Sequence, residues 1–246
     1  MLDRDLLVRI ERAGVHAWPA SDVVERDGWL WRFSHGGSQR ANSVSALSYS
    51  GRDVDAAIDA VEAHYGARKV PAMFQVSDVS EPDDLDQRLA QRGYRINDGC
   101  VTLVKAIEPS AEMPLGTIYF DCAASDWFAC YASVITPARR RTAPQILQRI
   151  PQPRAFCGVV REGRIAATAL AVANDDIVIA ECVATLAEVR GTGAASAVMR
   201  GLEAWGAAQG CRLAALQAVE TNLPAQALYR RLGYRVHGRY HMRVKD

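Results

Sequence analysis

Glu188-Val-Arg-Gly-Thr-Gly-Ala-Ala-Ser196 stands between the apolar run Ile177-Val-Ile-Ala-Glu-Cys-Val183 and a long stretch of helical periodicity. Glycine in such a loop lets the backbone turn tightly and leaves no Cβ to hold a ligand away. The helix that follows opens with unpaired N–H groups and the positive end of its dipole, which together can seat a pyrophosphate. Arg190 adds positive charge, the Ser196 hydroxyl adds a donor, and Val198, Leu202 and Trp205 recur at core spacing. A Gly-x-Gly before a helix also opens a dinucleotide-binding turn. That reading needs a third glycine and a parallel sheet. Here Ser196 takes the sixth position, and the strands at 156–161, 164–173 and 177–185 read as an antiparallel meander, with Glu162-Gly163 as a hairpin turn.

About thirty residues on, Asn222-Leu-Pro-Ala-Gln-Ala-Leu-Tyr-Arg-Arg-Leu-Gly-Tyr234 decides between the two. Arg190, Gly193 and Ala195 fit the pattern Arg/Gln-x-x-Gly-x-Gly/Ala, and the two motifs in this order resemble the GNAT superfamily of acyl-CoA-dependent N-acyltransferases over residues 117–246. The resemblance implies an α/β fold with a mixed, mostly antiparallel sheet flanked by helices. It implies that the backbone amides of Gly191, Thr192, Gly193, Ala194, Ala195 and Ser196, beside Arg190, hold the pyrophosphate of acetyl-CoA. Val183 and Thr185 would splay from the next strand and bond the pantetheine arm as an added strand does, with Asn222 bonding it from the other side. Tyr229 would protonate the departing thiolate as a general acid; the plain alternative is a core ring with a satisfied hydroxyl. Ala187 and Ala195 stand where the family favours proline and glycine, small changes that leave the loop usable.

An amine acceptor arrives mostly protonated at neutral pH, so a base or a water chain must deprotonate it. Glu181 is the candidate base: a carboxylate inside an apolar strand is costly to bury, and it lies just before Thr185, where many family members place theirs. Beside that reading stands the other, that Glu181 faces solvent or pairs with an arginine. His237 and His241, on the closing strands, are weaker candidates and are expected at the surface. The implied reaction is direct attack of a small-molecule or peptide amine on the thioester through a tetrahedral intermediate, with no acyl-enzyme and no metal. A non-catalytic acetyl-CoA-binding regulatory module is the rival, and retention of Tyr229 speaks against it.

The segment Glu108-Pro-Ser-Ala-Glu-Met-Pro-Leu-Gly116 interrupts the periodicity and divides the chain into 1–110 and 111–246. The first half reads as extended at 29–34 and 43–50, helical at 54–64 with Asp53 as N-cap, extended at 72–76, helical at 84–91, and extended near Tyr94 and Val101. The second half adds a strand at 117–122, helices at 126–135, 143–150, 194–209 and 224–232, a strand at 212–219 and two closing strands. Leu89-Ala-Gln-Arg-Gly-Tyr-Arg-Ile96 resembles Tyr229-Arg-Arg-Leu-Gly-Tyr-Arg-Val236, and the order of elements around each agrees, so two modules in tandem are expected. In the first, Leu89 stands in the place of Tyr229 and Pro82 in that of Asn222, and no glycine-rich loop precedes Val54, so this module has lost the cofactor site. Its cluster of Trp29, Trp31, Phe33, Arg40, Asn42 and Ser43 serves its own core or shapes the acceptor pocket. Arg139-Arg-Arg141, placed in the link between two helices, is a solvated face or, since in this fold that link borders the acceptor site, a reader of an anionic acceptor.

The 246 residues carry 29 Lys and Arg against 28 Asp and Glu, a balance that gives no reason to expect nucleic acid or an anionic membrane as partner. Six scattered cysteines suggest buried thiols rather than a metal knuckle. The charged start lacks the apolar segment of a signal peptide, and no run is long enough to span a bilayer. The expectation is a cytoplasmic protein, monomer or homodimer.

Overall fold

The computed structural model describes residues 3–109 and 112–246. The division expected between 110 and 111 therefore falls outside the described residues, as does the reading of Met1 and Leu2. The chain runs α1 (Arg4–Ala17), β1 (Asp22–Arg26), β2 (Trp29–Phe33), β3 (Val44–Ser45), α2 (Val54–Gly66), β4 (Ala72–Ser77), α3 (Leu85–Gln91) and β5 (Arg95–Ala106). It continues with β6 (Thr117–Phe120), α4 (Ser125–Ala132), α5 (Pro137–Arg149), β7 (Arg154–Arg161), β8 (Arg164–Asn174), β9 (Ile177–Thr185), α6 (Ala194–Ala208), β10 (Leu213–Val219), α7 (Leu223–Arg231) and β11 (Arg235–Lys245).

Several elements differ from the sequence reading. α1 was not expected, because its charged residues mask a stripe of Leu7, Ile10, Ala13 and Ala17 that is buried, and Asp3 caps it by accepting from the Leu6 amide. β1, all exposed, carries no alternation to read. The extended run expected at 43–50 is a strand only at Val44–Ser45. The two short strands expected near Tyr94 and Val101 are one, β5, and the two closing strands are one, β11, with register shifts within it. α5 begins at Pro137 on a Thr136 cap, so Arg139, Arg140 and Arg141 lie within the helix, from its first turn on, and not in a link.

All strands join one 11-stranded sheet in the order β1-β2-β3-β4-β11-β5-β10-β9-β8-β7-β6. The last strand of each half thus crosses to the other: β5 lies against β10, β11 lies against β4, and the two crossing strands pair with each other at the centre. The crossings are alike in detail. In each half a glycine with φ near +90°, Gly93 or Gly233, ends the helix, and the next tyrosine amide bonds back, Tyr94 N to Leu89 O and Tyr234 N to Tyr229 O, both at 3.0 Å. This is the Schellman closure that glycine permits. At the far end of β11, Lys245 bonds Glu62 of α2 and lies over the Tyr94 ring; at the far end of β5, Lys105 bonds Glu203 of α6 and lies over the Tyr234 ring. The same step in numbering separates Tyr94 from Tyr234 and Lys105 from Lys245. The internal repeat is therefore present in the side-chain contacts as well as in the order of elements.

The largest core lies between α6 and the sheet, around Val178, Ala180, Val198, Leu202 and Tyr229. On the opposite face α1, α4 and α5 cover Ile177, Ile179, Cys182 and Ala184, with Trp18, Trp127 and Tyr131 between. A smaller core under α2 holds Trp29, Trp31, Phe74 and Tyr94, so two of the three aromatics in the N-terminal cluster, Trp29 and Trp31, are core residues there.

Candidate active site

β9 and β10 run parallel from Leu213↔Ile177 to Leu216↔Ala180 and then part, although each strand continues. Past that point Val183 and Thr185 of β9 have no partner on the β10 side among the described residues. On the other side β9 stays paired with β8, up to Ala167↔Thr185. The register slips between Thr168 and Leu170, where Cys182 takes φ +53°, a value costly for a residue with a Cβ. The bulge changes which residues face which side. Ile177 and Ile179 share one face with Cys182 and Ala184, while Val178 and Ala180 line the other.

The first residues beyond the last pair are Glu181 and Gln217, and the Arg40 guanidinium bridges them. It donates to the two Glu181 oxygens at 2.7 and 2.6 Å and to Gln217 Oε1 at 3.0 Å. Behind it Gln217 donates to the Glu11 carboxylate, which also accepts from Thr102 and Gln75, and Gln75 in turn accepts from Arg32. Every group in this chain is buried or nearly so, which makes full hydrogen bonding a requirement. Burial raises the Glu11 pKa and brings Arg32 down to about 10. Arg40 is pushed the other way: desolvation opposes its charge, but the Glu181 carboxylate outweighs that. Of the two readings of Glu181, pairing with an arginine is what the structure contains. Both oxygens are engaged, so a proton acceptor at this position must use its remaining lone pairs.

α6 starts at the mouth of the fork. Its N-cap is Gly193 at φ +87°, with no side chain to cap the helix, so the amides of Ala194, Ala195 and Ser196 are left without intrahelical acceptors. Gly191 also has positive φ, and a Cβ at either glycine would enter open space. Arg190, Gly191, Thr192 and Gly193 are exposed, and the Thr192 hydroxyl is turned back to Val189 O at 2.8 Å. The equivalent helix of the first half differs in one decisive way. α2 is capped by Asp53, whose carboxylate already accepts from the Ala56 amide at 3.1 Å. A second anion has no place there.

α7 begins on the other side of the fork. Asn222 caps it through Oδ1, accepting from Ala225 at 3.2 Å, which leaves its Nδ2 free to donate elsewhere. One turn before the end stands Tyr229, 6% exposed, its ring edge-on to Tyr234. Its hydroxyl has no hydrogen-bonding partner among the described residues, unlike the satisfied core ring that was the alternative. Burial first, and the charge of Glu181 second, push its pKa up to about 12. His237 and His241 lie away from the fork, bonded to Asp3 O and to Asp86 respectively.

The loop that delivers Arg40 packs on α5. A Cβ on Gly37 would come within 2.9 Å of Ala138 O, so only glycine, at φ +74°, allows this approach. Trp18, fully buried and held by Nε1 donation to Ser38 at 2.9 Å, carries the guanidiniums of both Arg40 and Arg139 against its ring. Sequence reading singled out Arg40 without a partner and missed Trp18, Glu11 and Gln217. For Glu11 the signal was present, since a glutamate on the apolar stripe of α1 would have marked it once that helix was seen.

A family model described as "Probable histone acetyltransferase Rv0428c C-terminal" matches residues 7–243. The "Uncharacterized N-acetyltransferase YobR" of Bacillus subtilis (strain 168) is 27% identical, covering 98% of this chain and 99% of its own. A GCN5-related N-acetyltransferase from Kribbella flavida has the same fold at TM-score 0.70 and 18% identity, over 99% of this chain and 96% of that one. A tandem GNAT protein from the clavulanic acid biosynthesis pathway aligns at TM-score 0.63 and 17% identity, over 82% of this chain and 74% of its own.

Proposed function

The chain belongs to the acetyltransferase family whose model it matches, within the GNAT superfamily, and on that premise we propose that it moves the acetyl group of acetyl-CoA to an amine by direct attack at the β9–β10 fork. The observation that carries this reading is the parting of β9 from β10 beside an uncapped helix N-terminus. The unpaired edge at Val183 and Thr185 suits an extended amide-bearing arm, and Asn222 Nδ2 suits its opposite side. The free amides of Gly193, Ala194, Ala195 and Ser196, with Gly191, Thr192 and Arg190 leading into them, suit a pyrophosphate. Acetyl-CoA supplies the activated acyl group and a thiolate leaving group.

This chain's own residues do the rest. Tyr229, neutral and unbonded, donates its proton to the leaving sulfur. The fork holds the amine and the acyl carbon in register, which accounts for much of the rate of such transfers. Glu181 accepts the amine's proton through a bridging water, since Arg40 occupies its direct donors' places. The first module supplies Arg40, and Asp53 closes its own helix terminus to a second cofactor. Calorimetry of the whole chain with acetyl-CoA, expected to give one site per chain, tests binding. Release of free CoA across amines, drugs and peptides tests transfer. Binding with no transfer to any of them would favour a regulatory module instead.

A further inference from the structure

The first turn of α5 is charged against its own dipole. It holds no acidic residue and has Arg139 and Arg140, with Arg141 next, where a helix N-terminus favours carboxylates. Two of the three have ordinary surroundings: Arg140 Nε donates to Ile135 O at 3.1 Å, and Arg141 is exposed. Arg139 does not. Its guanidinium lies 5.1 Å from the Trp18 ring centroid and 5.8 Å from that of Tyr131. Its Nε is buried with no hydrogen-bond partner, and among the described residues it makes no ion pair. Of the two guanidiniums on the Trp18 ring, Arg40 is answered by Glu181 and Arg139 by nothing.

A second group beside it is in the same condition. The Tyr131 hydroxyl, on a side chain 2% exposed, is buried and makes no hydrogen bond, although the Cys182 thiol, a weak acceptor, lies beside it. Burial holds it in the neutral, donating form. Buried donors left unpaired are costly, and two of them meet at one place. Both lack the same thing, an acceptor. The place adjoins the fork: the Trp18 ring that carries Arg139 also carries Arg40, and Arg40 bonds Glu181 there. Trp18 beneath is a rigid apolar wall.

We infer that Arg139 and Tyr131 form an oxyanion seat for the acceptor, so that the amine acetylated here belongs to a molecule that also carries a carboxylate or phosphate. A guanidinium takes either group with two parallel hydrogen bonds, and the tyrosine adds a third. Arg40 is already paired with Glu181, so Arg139, which makes no ion pair among the described residues, is left to recognise the group. A lysine-rich peptide would meet three arginines and be disfavoured. This inference rests on the fork as the acetyl-transfer site.

The test uses the whole chain with acetyl-CoA and follows free CoA with matched acceptors: amino acids against their carboxamides, phosphoethanolamine against ethanolamine, and a lysine-rich peptide. The acid forms should exceed the neutral ones roughly 10–100-fold in kcat/KM, the worth of a charge-assisted pair. Whichever pair shows the larger ratio identifies carboxylate or phosphate. Arg139→Gln should erase that ratio through KM, costing the acid forms far more than the neutral amines; Arg139→Lys should restore part of it, and Arg141→Gln should keep the parental ratio. The same compounds should raise the melting temperature of the parent and not of Arg139→Gln. Preference for neutral amines or for the basic peptide, an equal loss on all acceptors in Arg139→Gln, or no response to any anionic compound would overturn the seat. Failure of acetyl-CoA itself to bind would instead overturn the reading of the fork.

Discussion

Arg40 and Glu181, 141 residues apart in the chain, are joined at the fork by two hydrogen bonds of 2.7 and 2.6 Å. Both side chains are largely withdrawn from water. Removing one member of a buried pair strands the other, at about 3–5 kcal/mol, whereas replacing both with apolar residues is often near neutral. Arg40→Met should therefore destabilise the chain strongly in urea, and Arg40→Met with Glu181→Leu should recover most of the loss. If the double variant is as unstable as the sum of the single ones, the two side chains are not coupled.

Gly193 tests the cofactor seat. Valine at φ +87° is strained by about 1–3 kcal/mol, and its side chain would fill the space in front of the free amides. Gly193→Val should abolish acetyl-CoA binding at millimolar concentration in calorimetry. Gly193→Asn, which tolerates this backbone, should melt near the parent and still bind more weakly. Normal binding by the valine variant would move the pyrophosphate elsewhere.

Tyr229→Phe should lower kcat with acetyl-CoA affinity nearly unchanged. General acids contribute roughly 10²–10⁴-fold, and the low end is expected because a thiolate leaves readily. The pH dependence follows from its raised pKa of about 12. The folded protein holds this proton more tightly than free tyrosine, so the acid is retained as pH rises and is lost only on approaching that value. Turnover should climb with amine deprotonation and show no tyrosine-dependent fall up to about pH 10. A decline with a midpoint near neutrality would remove Tyr229 from the role.

Much of this site is legible in the sequence because it is local. The 188–196 loop and the 222–234 segment each carry their chemistry within one turn or one helix, and glycines mark both. The repeat could be read for the same reason, since Gly93-Tyr94 and Gly233-Tyr234 close helices by short-range bonds. What was hidden is long-range. Nothing in the spacing of Arg40 and Glu181 announces a contact across the two halves, and nothing in β5 or β11 announces that they cross. α5 was read short, as 143–150, yet the helix starts at Pro137 and continues through Pro144.

Gly37 brings the loop that carries Arg40 against α5. A larger residue meets Ala138 O and sits at φ +74°, so Gly37→Val should push the loop off α5 and carry Arg40 with it. Beyond a lower melting temperature, KM for the acceptor should rise several-fold more than the acetyl-CoA dissociation constant. A variant that melts low but keeps the parental acceptor KM would show that the loop serves stability alone.

The crossing of β5 and β11 sets an order of events for a chain made from its N-terminus. When residues 3–109 have been synthesised, β4 has β3 but still lacks its other neighbour, and β5 has neither β10 nor β11 to pair with. Those partners emerge only after residue 213, and β4 waits for the final stretch at 235–245. Open strand edges invite pairing with other chains, and contacts this distant in sequence form slowly. On the ribosome, then, the first half cannot finish its part of the sheet ahead of the second; the nascent protein stays open to misassociation until β11 is in place.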